Sequence, residues 1–111
     1  MNRLAMSPAA AGLLRALIAR SGTTRDRILL TDLQTIDWQS LTFTGERHQF
    51  QLRIPGPGSR EIAERVCSGL GDAEFDIPGV IVADIAPVGD PAVGPDGSTC
   101  LSIEALTVSD D

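Results

Sequence analysis

The sequence predicts an α+β domain, a mostly antiparallel sheet of about five strands with two helices packed on one face. Three observations predict it. Apolar residues recur at helical spacing in two separate segments, about residues 7–21 and 59–70. Alternating or β-rich runs fill the stretches between and after them. The strands also arrive in consecutive runs instead of alternating singly with helices, which favours antiparallel pairing. The 111 residues make a single domain, and a chain of this length buries roughly two-thirds of its unfolded surface without needing a metal or a disulfide.

The first helix begins at Ser7-Pro8, a favoured N-cap followed by the residue best tolerated at the first helical position. Ala9, Ala10, Leu13, Leu14, Leu17 and Ile18 then lay one apolar stripe along it. Arg20 falls in the last turn, where the macrodipole favours a cation, and Gly22 stops the helix. Residues 27–36 lean towards strand without clean alternation. Beyond a break at residues 37–40, the segments either side of Thr44-Gly45-Glu46-Arg47 alternate, so residues 41–54 are expected to form a hairpin turning at Gly45. Pro55-Gly56-Pro57-Gly58 ends that strand.

Ser59 is expected to cap the second helix, whose inward face is Ile62, Ala63, Val66, Cys67 and Leu70. Residues 72–77 alternate as a short charged edge strand. Residues 80–88, apolar on both faces apart from Asp84, suggest a central strand. After a long turn, residues 99–108 form the last strand. A ferredoxin-like arrangement is the natural expectation for this set of elements.

The net charge of −6 is unevenly spread: residues 1–25 carry four arginines and no acid, while the segment from Val66 onward carries nine acids and no base. An acidic body argues against nucleic acid, which needs concentrated positive charge. The apolar stretch near the start is interrupted by Arg15, unlike a secretory signal, and no run reaches bilayer-spanning length. A cytoplasmic protein is expected. Cys67 and Cys100 lack metal or redox spacing and are expected to remain reduced and buried.

Chemistry-bearing residues are few. His48 is the sole histidine, with Asp37, Glu46 and Arg47 near it in sequence; it is expected at a hairpin end, half exposed. Trp38 is expected to anchor its strand, with its indole N–H partnered, or to wall a flat ligand. Asp84 invites pairing with Arg47 or Arg53, and Glu104 is a second carboxylate that the sheet could bring near it. The Asp72 segment fails the calcium-loop pattern, and the Pro-Gly run lacks the lysine and spacing of a phosphate loop. No catalytic, metal or cofactor signature appears.

The expected function is therefore a non-catalytic binding or assembly protein, homodimeric, with the first helix or a sheet edge as the contact. Two alternatives stand beside it. One is a small enzyme or ligand-binding domain with a pocket near His48, Asp84 and Glu104 and contributions from Trp38, Arg47 and Arg53. The other is a subunit of a larger assembly whose sheet edge accepts a partner strand.

Overall fold

Ser7 and Pro8 start the first helix as their chemistry dictates. In the computed structural model, which describes residues 6–109, the Ser7 hydroxyl accepts a hydrogen bond from the Ala10 N–H and caps α1 (Pro8–Ser21). Ala10, Leu13 and Leu17 are fully buried. The remaining elements are β1 (Leu29–Gln39), β2 (Thr44–Ile54), α2 (Ser59–Cys67), β3 (Val80–Pro87), β4 (Ala92–Val93) and β5 (Thr99–Ser109), with single 3-10 turns at Arg25–Arg27 and Leu70–Asp72. The sheet is antiparallel throughout, ordered β1-β2-β5-β3, with β4 also paired to β5.

This is the α+β architecture expected, with both helices over one face. Among the described residues the elements run αββαβββ, whereas a ferredoxin-like chain runs βαββαβ. The likeness is therefore one of layers and not of topology.

The core forms where β2 and β5 lie side by side. Register pairs Phe50 with Ile103 and Leu52 with Leu101, and strict alternation sends these residues, with Ile54 and Ala105, to one face. Leu13 and Leu17 of α1, and Ile62, Ala63 and Val66 of α2, close over them. The helices also hold each other at their C-terminal ends. Arg20 of α1 donates to the Val66 carbonyl (3.1 Å) and to that of Ser68, while Arg65 of α2 donates to the Ser21 carbonyl (2.7 Å). Each arginine thus caps the carbonyl end of the other helix, where the dipole is negative.

Several elements differ from the sequence expectation. The hairpin turns at Ser40–Phe43, not at Gly45. The Ser40 hydroxyl accepts from the Thr42 and Phe43 N–H groups, and the Ser40 N–H donates to the Phe43 carbonyl at 2.8 Å. β1 therefore continues to Gln39, and Thr44-Gly45-Glu46-Arg47 is the start of β2.

Gly45 is present for close approach: a Cβ there would lie 2.0 Å from the Thr107 carbonyl and 2.9 Å from the Trp38 indole nitrogen. Residues 72–77 form no strand, contributing only an isolated bridge between Ile77 and Val80. β3 lies at the edge of the sheet, and β5 takes the central place. The second helix ends at Cys67, short of Leu70, and its N-cap is Gly58. Ser59 instead donates to the Gly97 carbonyl (2.8 Å) and shares a hydrogen bond with the Thr99 hydroxyl (2.8 Å), pinning the β4–β5 turn.

The role of Gly45 is testable by urea unfolding. Gly45→Ala is expected to lower stability by about 1–3 kcal/mol, the usual cost of forcing atoms into packed space. A residue in an ordinary hairpin turn would tolerate the change with a smaller loss.

Candidate functional site

Strand parity divides the residues singled out in the sequence between two faces. His48 precedes Phe50 and Leu52 in β2 and points with them towards the helices, fully buried instead of half exposed. Its Nδ1 lies 3.1 Å from the Thr35 hydroxyl of β1, and its Nε2 lies 3.0 Å from the Thr107 hydroxyl of β5. Thr107 donates to the Glu46 carbonyl at 3.3 Å, so it accepts from Nε2–H, and Nδ1 is left to accept from Thr35. This pattern describes a neutral imidazole. Burial pushes the His48 pKa below its ordinary value, and the nearby Glu46 carboxylate, 3.7 Å from Nε2, opposes that shift only in part.

The Glu46 carboxylate accepts a hydrogen bond from Ser7 (2.7 Å), so the α1 N-cap is tied to the sheet through the residue two before His48. A negative group at the positive end of a helix is favourable. Beside this link, at the end of the sheet, lies a concavity of about 690 Å³ lined by residues including Ser7, Trp38, Gly45, Glu46 and Thr107. Trp38 is half-buried against Gly45, its cross-strand partner, and its indole N–H is buried with no hydrogen-bond partner among the described residues. The partner expected from the sequence is not found there.

Asp84 and Glu104 lie on the opposite, outer face. Asp84 is exposed in β3 and Glu104 half-buried in β5, where it accepts from the Gln49 amide (3.0 Å). Together with Arg47 they border a shallow depression of about 110 Å³. Arg53, on the same face, pairs with Asp96 at 2.6 Å. Asp96 also accepts from the Ser98 hydroxyl and N–H, and these bonds with the Arg53 contact hold its pKa down at about 2. His48 is therefore separated by the sheet from Asp84 and Glu104, and no single concavity gathers the three. Both of Asp84's suggested arginine pairings are absent among the described ion pairs.

Cys67 is half-buried and Cys100 exposed, both unbridged; Cys100 takes an outward position in β5, which is why it is not buried as expected. Among the described residues no group of three His, Cys, Asp or Glu side chains could hold a metal. The Pro55–Gly58 loop turns two carbonyls, Pro55 and Pro57, onto Arg27 (3.0 Å each). No described helix is long and apolar enough to cross a membrane.

No family model matches the chain, and no curated protein matches it either, so the reading of these sites rests on their geometry. Sequence reasoning placed Glu46 near His48 but missed Ser7 and Thr107. Ser7 looked like a simple helix cap, and its second partner lies 39 residues away. Chemically, the inner site is a polar strip whose buried imidazole has both nitrogens engaged.

The pH dependence follows from the lowered His48 pKa. Unfolded His48 takes up a proton below about pH 6.5, while the folded form resists, so its contribution to stability is present above that pH and is lost as pH falls towards the folded value. Thermal unfolding between pH 7.5 and 5.5 is expected to show a steeper loss for the wild type than for His48→Gln. Equal slopes would mean that His48 protonates as readily in the fold as outside it.

Proposed function

We propose that the protein acts by binding and assembly and not by catalysis, and that it does so as a homodimer. One observation carries this reading: the helices cover a single face of the sheet, leaving the other open. Leu29, Ile36 and Ile81, at outward register positions, are 42%, 58% and 49% exposed. Leu106 and Val108 lie half-buried between them. Closed two-fold assemblies are the commonest among soluble oligomers.

The enclosed His48 supports the non-catalytic part, since neither ring nitrogen is free to reach a substrate. The acidic balance supports a partner other than nucleic acid. The unbridged cysteines support a reducing, cytoplasmic setting.

Of the two contacts suggested by the sequence, the α1 stripe is largely committed within its own chain, with Leu13 and Leu17 fully buried. Removing residues 1–22 is therefore expected to unfold the protein, read as loss of the cooperative thermal transition, and not to release a folded monomer. A second reading, a small-ligand site, is supported by the end concavity, whose volume lies within the range of ligand pockets. Trp38 is the sole tryptophan and lines it, so its fluorescence reports any occupant.

Light scattering of the wild-type chain at micromolar concentration tests the leading proposal. The expected mass is twice 11.7 kDa. A mass of one chain across the accessible concentration range would reject it.

A further inference from the structure

We infer that two copies of this chain meet through the outer sheet face, with Arg47 of each seated between Glu104 and Asp84 of the other. The inference rests on the homodimer proposed above and names its contact surface.

Both sheet edges discourage the alternative of strand addition. β1 is interrupted by a bulge at Thr31 beside Asp32, and β3 by a bulge at Ala83 beside Asp84, with Pro87 at its end. Bulges, charges and proline are the devices that blunt an edge. The open face remains. Its size is adequate: β1, β2 and β5 each have eleven residues, and four strands at about 4.8 Å spacing and about 3.4 Å per residue give roughly 700 Å². Stable complexes bury about 800 Å² per partner.

Its charge is also suited to self-association. The outward register positions carry Arg47 and Arg53 against Asp32, Asp84 and Glu104, and with Asp96, which Arg53 pairs, the face has a net of −2 on a chain of −6. Two acidic chains can therefore meet here without strong local repulsion.

The charges are also sorted by strand. Both arginines are on β2, whereas Glu104 is on β5 and Asp84 on β3. A two-fold interface must be self-complementary. An axis parallel to the strands, above the boundary between β2 and β5, lays β2 of one copy over β5 of the other. Register within the chain puts Arg47 opposite Leu106, and Leu106 opposite Asp84. The same axis carries Arg47 onto Leu106 of the second copy, flanked by that copy's Glu104 and Asp84. Gln49 falls over Glu104 in the same operation. Within one chain Arg47 forms no ion pair among the described residues, so its guanidinium remains available.

Opposite charge reversals test this contact. Arg47 and Asp84 are both exposed, so Arg47→Glu and Asp84→Arg should each leave the circular dichroism spectrum and thermal midpoint close to wild type. By sedimentation velocity, each variant alone should associate roughly tenfold or more weakly than wild type, because like charges then face each other twice. An equimolar mixture of the two variants should recover dimers. In the mixed dimer the introduced glutamate meets the introduced arginine at one contact, and the native Asp84 meets the native Arg47 at the other.

Wild-type dimers that persist in both single variants would overturn this interface while leaving the homodimer intact. Single variants that lose the dimer but fail to recover it on mixing would overturn it too. A monomeric wild type would instead reject the homodimer itself.

Discussion

The fold depends on one constraint, the burial of a single face of the β2–β5 pair. Phe50, Leu52 and Ile54 face Ile103, Leu101 and Thr99 across that pair, and none is more than 4% exposed. Burying each large side chain contributes about 1.5–3 kcal/mol, and a one-residue slip of either strand would turn the whole set into water. The apolar stripes of both helices pack into this one set, so they lie on this side together. The reciprocal arginine caps then fix them against each other at one end.

At the other end the same face turns polar, and this follows from the same constraint. His48 occupies the inward position before Phe50, and parity leaves it no route to solvent. The fold satisfies it with hydroxyls from both neighbouring strands, Thr35 and Thr107, and so links β1, β2 and β5 through one side chain. A buried polar network is costly if half made, so this one favours a single strand register. Ser7 and Glu46 extend the network to the start of α1, which ties the N-terminal end of the first helix to the sheet. The sole histidine thus joins three strands of the sheet. No described helix covers the outer face, the surface proposed to meet a second copy.

The legible parts of this structure were those with an uninterrupted period. α1 showed its cap, stripe and stop, and the inward parity of Phe50, Leu52 and Ile54 was plain. Bulges hid the rest. The extra residue at Thr31 lets Leu30 and Leu33 both face inward, which is why that run lacked alternation. The extra residue at Ala83 does the same for Val82 and Ile85, so an edge strand looked apolar on both sides and resembled a central one. The misplaced hairpin turn has a different cause. Ser40 closes the turn with its hydroxyl, without Gly, Pro or Asn, while the glycine that seemed to mark the turn is required by the nearness of Trp38 and Thr107. The separation of His48 from Glu104 follows from parity, since His48 shares the parity of Phe50 while Glu104 points opposite to Ile103, whereas the bulge at Ala83 hid the side that Asp84 takes.

The central claim is that the β2–β5 pair is sealed on the helix side while the other side of the sheet is open. A soluble paramagnetic probe, read at assigned methyl resonances in dilute protein, measures this directly. Strong relaxation enhancement is predicted at Ile36 and Ile81, and little at Leu52, Ile103 and Leu13. Comparable enhancement at Leu13 and Leu52, or protection of Ile36 and Ile81 in the dilute monomer, would contradict it.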